Sequence, residues 1–516
     1  MQHGALLSKI GVVVNNLIGY SWLSEKFNFT LNHFHSSKIG GRLKTEVASD
    51  GRVTEHYTPQ YYPGDAPLDH VAFALKHEGL NLDLLRKVFS VIPGTDIVSY
   101  FNSTPSGKYT RQIGFLYEFV TGAQLDGVVP AIGNYVEVAD PELYVLPKGV
   151  KDSRWRVNNN LPGGRNFCPL VRKTESIVKY LDVNFSEMID ETVSDVPPDI
   201  FRRAINYFYF KETKSSNDIE HEAPSRQREE LFVDLLRTAG SVGLADRLSE
   251  KSLAECQNVI TDPRFNDDGY RLTQNYVGES VAYGRRSIIH LVGLPPEYLQ
   301  DTMHGMAEFA KLSTGMNSII RATCLSFGFV FIHPFEDGNG RIHRFLLNDV
   351  MSCDGVLKKG IILPVSAIML KSPHEYDDAL ERFSTPLMKA VKYNMDDEER
   401  IAVINPSEIA GFYQYPDMTT QAEYMFNVVE DTIKHELVSE LQLIQAFDRF
   451  SSDIKDIVDL PNRELDLIMK LVHQGHGILS KTKRAKFPML SDDEIEKIES
   501  AYTEAFTVSM PSSRPK

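Results

Sequence analysis

The run Phe331-Ile332-His333-Pro334-Phe335-Glu336-Asp337-Gly338-Asn339-Gly340-Arg341-Ile342-His343-Arg344 sets a titratable imidazole, two carboxylates, two glycines around an asparagine, and two arginines between apolar flanks. That inventory suits phosphate handling. Gly338, Asn339 and Gly340 permit a close, strained backbone that turns successive N–H groups toward one point, an anion nest. A helix is predicted from Arg341, and its N-terminal dipole favours phosphate. Arg341 and Arg344, three apart, share a helix face and can grip phosphate oxygens bidentately. Asp337 is a hard oxygen donor of the kind Mg2+ takes when it bridges substrate phosphates. His333, with an unperturbed pKa near 6.5, is the natural general base at neutral pH. Glu336 should face away, and His343, one position off the arginine face, is read as packing or solvent-facing.

Outward from this stretch the chain reads as mainly helical. Helical spacing predicts Gln300 to Ser313 and Ser318 to about Phe331 on its N-terminal side, with Arg341 to Met351, Val365 to Leu370 and Tyr376 to Val391 following. Thr419 to Phe506 reads as an all-helical C-terminal region. Further upstream, Leu68 to Ile92 carries one apolar stripe that Pro93-Gly94 ends, and a helix is expected at Gln112 to Thr121. Asn158 to Gly164 is rich in turn formers and is expected to be an exposed loop beside a buried Trp155, open to contact with a substrate protein. Val196-Pro197-Pro198 looks like a boundary, after which Ile200 to Phe210 reads as helix. Arg271 to Val292, rich in Val, Tyr and Ile with Gly278 and Gly284, suits a β-hairpin.

With 516 residues the chain exceeds what one hydrophobic core supports, so several domains are expected. A net charge of −15 offers no positive field for nucleic acid or an anionic membrane. The apolar run Ile10 to Val14, broken by Asn15-Asn16, is too short for a signal core or a membrane span. Cys168, Cys256, Cys324 and Cys353 are scattered without metal-binding spacing, as expected of reduced thiols in a cytoplasmic protein. No GxxxxGK[ST] loop and no kinase motif set occurs, and a base, a metal ligand and a polyphosphate cradle without those machineries fit transfer of a nucleotidyl group.

His333 to Arg344 also resembles the HxFx(D/E)GNGRxxR motif of the Fic family at every fixed position. The resemblance extends over roughly 200–395. Tyr270 to Gly278, followed by Ile288 to Val292 and Pro295-Pro296, is similar to the family's flap, a hairpin that aligns a target segment by backbone pairing. Tyr376-Asp377-Asp378-Ala379-Leu380 partly resembles the adenine-side segment, with Asp377 where a second aromatic is usual. Ser216-Asn217-Asp218-Ile219-Glu220 resembles the inhibitory (S/T)xxxE(G/N) motif, with His221 at its last position. The resemblance implies a Fic-like helical core (196–395) with an inhibitory helix near 213–222 and a flap near 271–292, while the residue patterns outside it predict an N-terminal α+β region (1–195) and a helical C-terminal region (396–516).

Functionally it implies Mg2+-dependent transfer of AMP from ATP to a Ser, Thr or Tyr hydroxyl of a target protein. His333 would act as base and Asp337 as metal ligand. Gly338, Asn339, Gly340, Arg341 and Arg344 would bind the phosphates, Arg344 the γ-phosphate, and Tyr376 would lie beside the adenine. Glu220, with Ser216 on the same helix face, would restrain the site by pairing with Arg344. Two alternatives stay open: removal of AMP from a modified protein at the same site, and a non-catalytic nucleotide-binding adaptor. Oligomeric state is also open, with a homodimer as one arrangement able to gate the inhibitory helix.

Overall fold

A computed structural model of the chain describes residues 16–49, 51–194, 196–279 and 287–507. Residues 10–15 and Gly284, on which sequence expectations were placed, lie outside the described residues. The chain divides into two compact units interleaved along the sequence, Met1–Asp182 with Val242–Met351 and His374–Met425, and Val183–Ser241 with Ser352–Pro373 and Phe426–Lys516. Helices dominate both, so the expected mainly α fold holds.

In the first unit the N-terminal region combines helices with two small sheets. Strands Leu17–Ile18, His35–Ile39, Val53–Tyr57 and Lys44–Val47 lie side by side in that order, with His35–Ile39 parallel to Val53–Tyr57. A second sheet places Val157–Asn159 between Val136–Glu137 and Val150–Asp152. The apolar stripe from Leu68 to Ile92 forms two helices, Pro67–His77 and Leu82–Val91, instead of one. Gly79, at φ 85°, turns the chain between them, and the side chain of Asn81 caps the second by accepting from the Leu84 amide at 2.9 Å. Pro93 marks the end of that stripe as expected, since the helix Leu82–Val91 stops just ahead of it. Pro93 also stands just ahead of another helix, Gly94–Ser103, since a proline there needs no helical amide.

Trp155 is fully buried, edge-on to Phe101 at 4.9 Å, and its indole N–H donates to Glu118 at 2.8 Å. The adjoining stretch corrects the sequence expectation, because Asn160 to Gly164 is buried instead of forming an exposed loop. The Asn160 amide accepts from the Ala139 N–H and donates to the Ala139 carbonyl, both at 2.9 Å, and so acts as a strand partner inside the protein. A turn-rich composition is compatible with burial once side chains satisfy the backbone.

Around the motif, Glu250–Ile260, Pro296–Leu312 and Ser318–Ile332 are helices. Every residue from Ile319 to Ile332 is buried, as expected of a helix apolar on all sides. The expected hairpin is present, but its strands are Tyr276–Glu279 and Ile288–Val292, paired antiparallel with Tyr276 opposite Val292. Residues 271–275 precede it without strand structure. A second hairpin, Tyr393–Met395 with Ile401–Val403, was not anticipated, and its turn residue Glu399 receives the Ser287 amide at 3.2 Å and hydroxyl at 2.9 Å, next to Ile288 at the end of the first hairpin away from Tyr276 and Val292.

In the second unit, the helix after the Pro197-Pro198 boundary runs from Pro198 to Ile219. Glu212 on this helix accepts from the Ser366 amide at 2.9 Å and hydroxyl at 2.6 Å, at the start of the helix Val365–Lys371. The C-terminal helices Val438–Ile457, Asn462–Gln474 and Asp492–Thr507 enclose a core that includes Phe450, Ile454, Ile468 and Ile498, as the sequence periodicity predicts.

The N-terminal core holds a buried acid with a measurable consequence. Glu78 lies beneath Tyr20, whose amide donates to it at 2.8 Å, and burial pushes its carboxyl up to about 7. A carboxyl raised on folding is protonated more readily in the folded than the unfolded chain. Its stabilisation is therefore full below the ordinary carboxylate range and is lost as pH rises toward 7. Urea unfolding should show stability falling between about pH 4.5 and 7. Glu78→Gln should flatten that slope.

Candidate active site

His333 closes the buried helix Ser318–Ile332 in a left-handed conformation, φ 56° and ψ 61°. A residue with a Cβ adopts that geometry at a cost of about 1 to 2 kcal/mol, so its surroundings must secure it. They do so through its carbonyl, which accepts from Arg271 Nε at 2.7 Å and from Asn275 Nδ2 at 3.3 Å. The imidazole is oriented separately. Nδ1 lies 3.0 Å from the Val330 carbonyl, an acceptor only, so Nδ1 carries the proton and Nε2 carries the basic lone pair.

The chain then passes through Pro334 and Phe335, both buried, into the glycine turn. Gly338 has φ 87°, and a Cβ there would stand 2.9 Å from Thr261 Cγ2. Contrary to the expected nest of successive strained residues, Asn339 and Gly340 already belong to the helix Asn339–Cys353, which starts two residues earlier than predicted. Asn339 is almost fully buried, with its side chain folded back on Phe335: Oδ1 accepts from the Phe335 amide at 3.0 Å and Nδ2 donates to the Phe335 carbonyl at 2.8 Å. The asparagine expected to bind phosphate therefore ties the loop together.

Asp337 and Arg341 come together. Arg341 Nη2 lies 3.1 and 3.3 Å from the two Asp337 oxygens, and its Nη1 donates to the Ile260 carbonyl at 3.2 Å. The Gly338 amide donates to Asp337 at 2.6 Å. Arg341 is 1% exposed while the Asp337 side chain is 41% exposed, so the carboxylate is open to solvent above a buried cation. Arg344 is likewise buried on the motif helix. Glu336 faces outward as expected and accepts from the Thr273 hydroxyl at 2.7 Å. His343 is fully buried against Phe327, edge-on at 4.6 Å, which settles its role as packing.

Tyr376, on the helix Pro373–Ala390, is buried with its ring 6.2 Å from both His343 and Tyr424. Ser216 and Glu220 belong to the second unit. Ser216 is buried, and Glu220 is the exposed residue that follows the last turn of Pro198–Ile219.

The site carries an excess of negative charge on one side. Asp267 lies with an oxygen 3.4 Å from the Glu336 amide, and its carboxyl is pushed up by burial and by the nearby charges of Glu336, Asp337 and Asp268. That electrostatic setting fits a divalent cation. Among the described residues no group of three or more His, Cys, Asp or Glu side chains is arranged to hold a metal. A single open carboxylate at Asp337 fits Mg2+, which draws its remaining ligands from phosphate and water.

Sequence inspection missed the residues that support this site. Arg271 is 5% exposed and donates only to carbonyls, and Gln257 donates to Phe265 O at 2.8 Å and to Asp337 O at 3.4 Å. Most of their partners are main-chain carbonyls, which no sequence pattern marks; the nearest signal was the position of Arg271 at the start of the expected flap.

Residues 265–351 match the model of the Fic/DOC family. Over 97 residues the chain is 34% identical to a protein adenylyltransferase fic-1 of Caenorhabditis briggsae and 32% identical to its counterpart in Caenorhabditis elegans, in each case covering 18% of this chain. These matches span only 17% and 16% of the relatives' own lengths. Among solved structures, a Fic family protein from Desulfovibrio desulfuricans G20 aligns at 17% identity and a TM-score of 0.36, over 55% of this chain and 80% of that one.

The Asn339 clamp can be tested on stability alone. Asn339→Ala takes the partner from the buried Phe335 amide, while the Phe335 carbonyl keeps Asn275, and should cost about 1 to 3 kcal/mol, read by chemical denaturation. Glu336→Gln, at an exposed position, should change stability by about 0.5 kcal/mol or less.

Proposed function

We propose that this chain, which carries a Fic domain at residues 265–351, is a protein adenylyltransferase that moves AMP from ATP to a Ser, Thr or Tyr hydroxyl of another protein. The observation that carries the proposal is the fixed tautomer of His333, whose Nδ1–H is committed to the Val330 carbonyl, eight residues ahead of the Asp337-bound Arg341.

His333 Nε2 takes the proton of the target hydroxyl as its oxygen attacks the α-phosphorus. The bond from that phosphorus to the oxygen bridging the β-phosphate breaks, pyrophosphate leaves, and the proton rests on Nε2. The start of the helix Asn339–Cys353, with Gly338, Gly340, Arg341 and Arg344, supplies amide dipoles and guanidinium charge for the phosphates. Asn339 serves this cradle by holding the loop, and Tyr376 lies on the adenine side. Asp337 would hold Mg2+, which when bound neutralises charge on the α- and β-phosphates. The strand Tyr276–Glu279 offers its backbone edge to an extended target segment, a mode that positions a hydroxyl without reading its neighbours.

Glu220 restrains the reaction by occupying Arg344 in place of the γ-phosphate. Its spacing from Ser216 and its place at the end of Pro198–Ile219 support that role. Among the described residues no helix is long and apolar enough to cross a membrane.

Incubation with ATP labelled at the α- or γ-phosphate tests the assignment. Protein should retain α label only. His333→Ala should lower transfer by about 100-fold or more, and Glu220→Gly should raise it. Retained γ label would replace the proposal with a kinase-like reaction, and AMP release from a pre-modified target, lost on Glu220→Gly, would replace it with AMP removal.

A further inference from the structure

We infer that Arg271 and Asn275 are positioning residues for the transfer step, forming a strap that joins the target-docking strand to the general base; this rests on the adenylyltransferase reading above. Arg271 spends its whole guanidinium on main-chain oxygens. Nε donates to His333 O at 2.7 Å, Nη1 to Thr273 O at 2.6 Å, and Nη2 to Leu294 O at 2.5 Å with Ile332 O at 3.4 Å. Its own amide donates to Pro334 O at 2.9 Å. Ile332 and His333 are the last carbonyls of the buried helix Ser318–Ile332, where the helix dipole is negative, so a buried cation there acts as a C-terminal cap. Burial pulls Arg271 down only to about 10, and it stays charged at neutral pH.

Asn275 completes the connection, donating to His333 O at 3.3 Å and to Phe335 O at 3.0 Å. The next residue, Tyr276, begins the docking strand. Opposite it, the Leu294 amide donates to Ile332 O at 3.1 Å just beyond Val292, and the Tyr413 hydroxyl donates to Val292 O. Both strands of the flap are thus hydrogen-bonded at their base to the turn that holds His333. The left-handed conformation of His333 depends on these donors, and with it the direction of Nε2. The Arg271 side chain donates to the carbonyls of Thr273, Leu294, Ile332 and His333, and Asn275 to those of His333 and Phe335, so the strap acts on the turn that carries the base.

The test uses the full chain bearing Glu220→Gly as parent, with Arg271→Lys and Asn275→Ser added separately. ATP affinity is read by titration, folding by thermal melting, and AMP transfer from α-labelled ATP by rate. A misplaced base should lower the transfer rate by about 100-fold while ATP affinity stays within about twofold of the parent, since an interaction made only in the transition state changes rate and not binding. Arg271→Lys should retain more activity than Arg271→Ala, because an ammonium still reaches one carbonyl. A transfer rate within about threefold of the parent in both Arg271→Lys and Asn275→Ser overturns the inference. So does loss of ATP binding or of the folded state in parallel with rate, which would assign the strap to stability alone. A parent that transfers no α label overturns the adenylyltransferase reading and this inference together; a parent that transfers while the variants match it overturns this inference only.

Discussion

Everything at this site depends on one backbone event, the left-handed termination of a fully buried helix at His333. A helix interior can hold the residues up to Ile332 by apolar packing alone, but its last carbonyls face inward and require donors. Arg271 and Asn275 provide them. The cost of the unusual backbone angle at a histidine is about 1 to 2 kcal/mol, and one charge-assisted hydrogen bond to a buried carbonyl is worth about 1.5 to 3 kcal/mol. Arg271 alone can therefore hold the conformation, and it does so from the residues that lead into the hairpin of Tyr276–Glu279 and Ile288–Val292.

Charge is arranged in opposition across the turn. Glu336, Asp337 and Asp267 gather on the open side, while Arg341 and Arg344 lie buried beneath. Burial keeps the guanidinium groups from being screened by solvent, and Asp337 pairs with Arg341. Two buried arginines without anionic company would be costly. The Asp337 carboxylate thus has a structural duty in the absence of substrate as well as its proposed duty toward Mg2+.

What the sequence specified by itself was the family motif and the local periodicity. Residue types from His333 to Arg344 carry the proposed base, metal ligand and phosphate donors, and the 3.6-residue spacing located the flanking helices to within a few positions. The flap and the helical C-terminal region were legible for the same reason, since each is written in a local pattern of apolar spacing and turn formers. The roles of Asn339 and Arg271 were not legible, because their partners are main-chain oxygens and amides, which every residue carries and which no sequence pattern marks. Burial of Asn160 to Gly164 escaped for a related reason: turn formers resemble a surface loop until a side chain such as Asn160 takes the place of a neighbouring strand. Tertiary structure alone decided which polar groups would be enclosed together, because the cost of an unsatisfied buried hydrogen-bonding group is incurred only when folding removes water from it.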